Sequence, residues 1–142
     1  PMKIVVDIDH RVTGDPRLTM LCARAYLYGQ VAHNRLLMRL NRVPRLYELR
    51  RQGLVEFDQE PNAGKYEEFA SAPLVIERGW GDCDDLCAYR VAELLETGEP
   101  ARLRIYCKEV ADDMKLYHVQ VRRADGTIED PSRICGMGRN VR

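Results

Sequence analysis

At 142 residues, 45% of them apolar, the chain has the material for one domain with a core and is too hydrophobic to remain disordered. Its 22 basic side chains balance 22 acidic ones, which argues against a protein whose main task is gripping nucleic acid. No stretch approaches the roughly 18 consecutive apolar residues of a membrane span, so no membrane partner is expected.

The neutral total hides an asymmetry. Residues 1–53 carry ten Lys and Arg against four Asp and Glu, and residues 54–142 carry twelve against eighteen. Mutual attraction of the two halves is a sufficient use for that difference. Residues 3–9 alternate weakly and predict a strand. The early Asp7 makes that opening unlike an export signal, and Pro1, ahead of the expected initiator Met2, reads as a cloning remnant.

Asp15-Pro16 starts a helix, with Asp as N-cap and Pro at the first helical position. The helix is predicted to about Asn41, with Leu18, Leu21, Cys22, Ala25, Leu36, Leu37 and Leu40 on its apolar side. Gly29 is a place for a bend or a split, and Pro44 stops the helix. Arg45 to Gln52 reads as a short basic turn or helix. Gly53 to Pro73 gives mixed signals, with Pro61, Asn62 and Gly64 marking a loop.

The second half is more regular. A helix is predicted from Cys83 to about Thr97, with Leu86, Val91, Leu94 and Leu95 inward, ended by Gly98 and Pro100. Strands follow at Ala101–Val110, with Leu103, Ile105 and Cys107 on one face, then at Tyr117–Arg122 and at Thr127–Asp130, ended by Pro131. A helix followed by three antiparallel strands is an α+β arrangement, and one domain is expected over residues 1–142.

Five cysteines, an odd number without tight spacings, point to free thiols in a reducing cytoplasm. Cys83 differs from the other four by its place at the first turn of a helix. Unpaired N–H groups and the positive end of the dipole there favour a thiolate, and the same N–H groups suit an oxyanion. Asp82, Asp84 and Asp85 oppose this by crowding the thiol with negative charge. Asp82 is expected to serve as N-cap, with Asp85 reaching back in capping-box fashion, and activation then leans on a histidine.

His118 supplies that histidine. On its strand His118, Gln120 and Arg122 share one face, and Tyr117, Val119 and Val121 share the other. Whether Asp130 joins His118 depends on the turn. A two-residue Asp-Gly turn pairs residues 121 and 130 and sends Asp130 to the wrong face. A three-residue turn, with Gly126 left-handed, pairs 120 with 130 and brings Asp130 diagonal to His118 on the same face.

The run Gly81-Asp82-Cys83-Asp84-Asp85-Leu86, then Gly98-Glu99-Pro100-Ala101-Arg102, His118-Val119-Gln120-Val121 and Asp130-Pro131-Ser132 resembles the transglutaminase-like, papain-related cysteine peptidase superfamily. The likeness covers about residues 75–135 and implies a central helix with the nucleophile at its N-terminus, packed on an antiparallel sheet. It implies Cys83 as nucleophile, His118 as base and Asp130 as orienting acid, with no cofactor and a protein or peptide substrate. The fuller form Gly79-Trp80-Gly81-Asp82-Cys83-Asp84-Asp85 is most similar to small versions in tailed-phage and prophage genomes. That implies a bacterial host cytoplasm or a phage particle, with phage structural proteins as partners. Asp84 stands where eukaryotic transglutaminases have Trp, against protein crosslinking. Trp80, through its indole N–H, and Asp82 are the oxyanion or substrate candidates.

Other readings compete. Cys83, Cys87, His118 and Cys135 form a possible but loosely spaced metal set, and none is expected. His10 and His33 lack a partner pattern. Arginines 35, 39, 42, 45, 50 and 51 are read first as a solvated face or partners of the acidic half, with contact to phosphate as the alternative. The acids at 82, 84 and 85 lack the remainder of a calcium loop. A catalytically silent phage assembly module on the same scaffold is the first rival to the enzyme reading, and a nucleic-acid-binding accessory using the basic amino-terminal helix is the second.

Overall fold

The computed structural model describes residues 16–61, 68–111 and 114–139. The strand expected over residues 3–9, the Asp15 cap, His10 and the Asn62–Gly64 loop lie outside them. In chain order the elements are α1 (Pro16–Leu40), α2 (Leu46–Arg51), β1 (Glu56–Phe57), α3 (Ala72–Arg78), β2 (Trp80–Gly81), α4 (Cys83–Glu96), β3 (Ala101–Ala111), β4 (Met114–Arg123), β5 (Ile128–Glu129) and α5 (Pro131–Ile134). The protein is α+β, with a three-stranded antiparallel sheet in the order β3-β4-β5 packed against helices. Among the described residues no helix is long and apolar enough to cross a membrane.

The helix α4 is the centre of the packing. Cys87, Ala88, Val91, Ala92 and Leu94 face one apolar cluster, shared with Leu27 and Val31 of α1 and with Leu103, Val119 and Val121 of the sheet. Leu86 and Tyr89 face a second, with Leu46, Leu49, Val55, Ala70, Ala72, Val75 and Cys135. A helix buried on two sides has little solvent-facing surface left, so its inward polar groups must find partners within the protein.

Two expectations about helices change. The helix α1 runs unbroken through Gly29, and the face it buries is Leu27, Val31 and Asn34. Leu18, Leu21, Leu36 and Leu40, assigned inward from the sequence, are exposed. Residues 27, 31 and 34 form one helical stripe, and α4 covers that stripe; docking chose the buried face over the richer leucine face. Asn34 completes the stripe by accepting the Ala72 N–H at 2.8 Å. The helix α3 and the parallel pairing of β1 with β2, Glu56 opposite Trp80 and Phe57 opposite Gly81, arise in a region whose sequence signals were mixed or unassigned. Segments this short have no periodicity to read.

The hairpin joining β4 to β5 takes the three-residue turn. Val121 pairs with Glu129 and Arg122 with Ile128, the Arg123 N–H donates to Thr127 at 3.0 Å, and Gly126 has φ +86. Asp125 Oδ1 accepts the Thr127 N–H at 2.9 Å, which holds the turn from inside. A Cβ at position 126 would meet nothing within 4 Å, so the glycine is there for its backbone angle alone. Gly126→Ala is therefore expected to cost about 1 kcal/mol in urea unfolding, from left-handed strain without a clash. A variant as stable as the parent would contradict the turn.

Candidate active site

The register of that hairpin sets the first half of the site. With residue 121 opposite 129, Asp130 falls on the His118 face of β4, and its Oδ2 lies 2.9 Å from His118 Nε2. Gln120, two residues beyond His118 on the same face, donates Nε2–H to the same Oδ2 at 3.0 Å. Asp130 also caps α5, its Oδ1 accepting the Arg133 N–H at 3.3 Å. Partial burial pushes the Asp130 acidity towards the neutral form, but the bonds from Gln120, His118 and Arg133 outweigh it and hold the carboxyl below its ordinary value. An ionised Asp130 accepts from His118 Nε2–H and thereby fixes the tautomer, which leaves Nδ1 as the ring nitrogen for proton exchange. Tyr106, opposite His118 on β3, packs edge-on to the imidazole with ring centres 5.5 Å apart.

Cys83 is half-buried in the first turn of α4, packed against the cluster that holds Val119 and Val121. One turn further along, the buried Cys87 thiol donates to the Val119 carbonyl at 3.2 Å, which ties this part of α4 to the strand bearing His118. Along β4, Val119 and Val121 turn inward to the core, while His118 and Gln120 point to the other face with Asp130. At the level of His118 the strand β5 has ended and α5, packed on both α4 and β4, continues that edge.

The loop before Cys83 is built by packing and charge. At Gly81 a Cβ would lie 3.1 Å from Leu86 Cδ2 and 3.2 Å from Asp85 Cβ, so the chain passes too close to α4 for a side chain. The Asp82 side chain caps α4, accepting the Asp85 N–H at 3.4 Å. The return bond of a capping box is absent among the described residues, because the buried Asp85 carboxylate accepts the Ala70 N–H at 2.6 Å and ion-pairs with Arg78. Arg78 in turn donates to the Trp80 carbonyl at 2.8 Å and stacks on the Trp80 ring, 3.6 Å from its centre. The Trp80 ring is thus a platform for Arg78.

Asp84 is the anomaly. It is 3% exposed, and neither carboxylate oxygen has a hydrogen-bond partner among the described residues. Burial, reinforced by hydrogen bonding to Asp82 in the protonated form and by the charges of Asp82, Asp85 and Cys83, pushes its pKa well above the ordinary carboxylate range. In the neutral form that this shift favours, it adds no negative charge against the Cys83 thiol, which removes part of the opposition read from the sequence. Asp82, Asp84 and Asp85 present ligand atoms within 4.8 Å of one another, but Arg78 already supplies the positive charge at Asp85. The thiol set does not assemble: Cys87 is spent on Val119, Cys135 is buried in the other cluster with its pKa pushed up to about 11 by burial, and both are poor metal ligands in that state.

Beside the His118–Asp130 pair lies a second charged group. Glu129 accepts from Arg90 Nε at 2.7 Å, from Arg123 at 2.8 Å and from the Tyr47 hydroxyl. It anchors β5 to α4 and α2 one residue before Asp130. Gln120, Tyr106 and Arg78 were not singled out from the sequence as partners of the site; only the period-two alternation of β4 hinted at Gln120. Searches of family models, curated proteins and solved structures find no match to this chain.

A neutral buried carboxyl makes a pH statement. Its folded-state acidity is weaker than its unfolded value, so the unfolded chain releases the proton first and stability falls as pH rises above about 4. Asp84→Asn removes that loss. Its stability relative to the parent is expected to increase as pH rises from about 4 in urea titrations, and a difference independent of pH would show that folding does not raise the Asp84 pKa.

Proposed function

We propose that the protein is a cysteine-dependent acyl hydrolase or transferase on a papain- and transglutaminase-like scaffold, with cleavage of a peptide or isopeptide bond as the first choice. The observation that carries the reading is the His118–Asp130 pair at 2.9 Å, made by the one hairpin register that permits it and reinforced by Gln120. A histidine held by an ionised carboxylate is oriented and its cationic form stabilised, as a base beside a nucleophile requires. The position of Cys83 at the N-terminus of α4 and the order of the Gly-x-Cys, His and Asp-Pro segments support it further.

In this mechanism His118 Nδ1 takes the proton from the Cys83 thiol, and the thiolate attacks the carbonyl carbon of an amide or ester. The oxyanion that forms is received by N–H groups of the first turn of α4. The imidazolium then gives its proton to the leaving amine or alcohol, the bond to it breaks, and a thioester to Cys83 remains. Water or an amine, losing its proton to His118, attacks that thioester; the carbon–sulfur bond breaks, the Cys83 thiolate leaves and takes back the proton from His118, and acid or new amide is released. Asp82 caps the helix that presents the thiol.

A second reading rests on a specific observation. Val119 and Val121 turn towards the core packed on α4, and His118 leaves the strand on the other face. A phage particle or assembly component that keeps the scaffold as a binding module would have no need of proton exchange between thiol and imidazole.

Alkylation separates the two. With iodoacetamide at pH 7, Cys83 is expected to react at least about tenfold faster than the half-buried Cys22, and His118→Ala is expected to abolish the difference. Equal rates at the two thiols, unchanged by His118→Ala, would favour the silent module. On acyl substrates, Cys83→Ala is expected to be inactive, and Asp130→Asn to lose roughly 10²–10⁴-fold in kcat/KM. Turnover by Cys83→Ala equal to that of the parent would end the enzyme proposal.

A further inference from the structure

Two groups stand out among the described arginines. Arg35 and Arg39 pair with Glu96, Arg78 with Asp85, Arg90 with Glu93 and Glu129, and Arg123 with Glu99 and Glu129. These pairs include the attraction between the basic and acidic halves expected from the sequence. Arg45, Arg50, Arg51 and Arg139 make no ion pair among the described residues, and all four line a single concavity of about 680 Å³.

Three separate stretches of chain converge there. Arg45 is the N-cap residue of α2, Arg50 and Arg51 form its last turn, and Arg139 comes from the segment after α5. Arg90 of α4 adds a fifth guanidinium, stacked on the Tyr47 ring at 4.6 Å and already neutralised by its two glutamates. Glu48 is the one carboxylate on the wall. Arg50 is received by the backbone: its guanidinium lies beside Gly136, which has φ +118, and a Cβ there would come within 3.4 Å of it.

Arginines at the C-terminal turn of a helix commonly complement its dipole, and that accounts for Arg50 and Arg51. It does not account for Arg45 at the opposite end of α2 or for Arg139. Four like charges around one concavity repel, and the repulsion is relieved most economically by a compact ligand of several negative charges. The guanidinium fork matches phosphate oxygens bidentately, and eighteen of the 22 basic residues in the chain are arginine. The volume is that of a small-molecule site, roughly 300–1,000 Å³.

We propose that the concavity between α2 and the segment after α5 binds a compact oligophosphate, a ligand with at least two linked phosphate groups. The proposal does not depend on the chemistry of Cys83.

The test titrates the full chain with sodium tripolyphosphate in calorimetry at low salt, beside hexaglutamate and a single-stranded deoxyoligonucleotide. Saturable binding of tripolyphosphate is expected, weakening as salt rises. Arg45→Gln, Arg51→Gln and Arg139→Gln alter exposed side chains and are each expected to weaken it at least about fivefold, whereas Arg35→Gln, an arginine paired with Glu96, changes it less than about twofold. Four results would overturn the proposal: no binding of tripolyphosphate at millimolar concentration, an equal loss in Arg35→Gln, hexaglutamate binding as tightly as tripolyphosphate, or binding of the oligonucleotide alone.

Discussion

The burial of α4 between two apolar clusters is the constraint from which the remaining structure follows. Most of the residues from Asp84 to Leu94 are buried, so every polar side chain among them is answered inside the protein or loses its charge. Asp85 is answered by the Ala70 N–H and Arg78, and Glu93 by the Leu46 N–H and Arg90. Each answer also draws a neighbouring segment onto the helix: the approach to α3, the loop bearing Trp80, and the start of α2. Asp84 receives no such donor or cation among the described residues, and its burial beside Asp82 favours the neutral acid. Carboxylates that looked from the sequence like a negative cloud around Cys83 are thereby a capping group, an ion pair and a proton-bearing acid.

The same helix aligns the sheet. The Cys87 thiol donates to the Val119 carbonyl, and Arg90 binds Glu129, so α4 holds β4 and β5 at two points along its length. Between those points stands the His118–Asp130–Gln120 group. Asp130 makes three of its own contributions there: it accepts from the imidazole, accepts from Gln120 and caps α5. A single carboxylate in these three roles couples the orientation of the imidazole to the turn at Gly126 and to the short helix after it, which is why a change in the hairpin would be felt at His118.

The basic half of the chain divides by function as well as by position. Arg35 and Arg39 of α1 reach Glu96 at the far end of α4 and help hold the long helix in place, a modest gain for exposed pairs. The arginines of α2 and the C-terminal segment face one another around the concavity. Net charge alone conceals this, because the acidic residues that would balance them are already engaged with other partners.

By itself the sequence determined what local chemistry controls. The start of α4 follows from Asp82, its end from Gly98 and Pro100, the two long strands from their alternation, and the hairpin from Asp125-Gly126. It narrowed the position of Asp130 to two registers, and the local pattern did not choose between them. Tertiary structure decided what depends on partners distant in the chain. It selected the Leu27–Val31–Asn34 face of α1 over its leucines, because α4 offers one matching surface and the leucines outnumber what that surface covers. It made α3 and the β1–β2 pair from segments too short to carry a period, and it moved the Asp85 carboxylate from the helix cap to Arg78. Burial, and with it the neutral state of Asp84, is a property of the assembled core: no spacing of residues encodes how much water a side chain will lose.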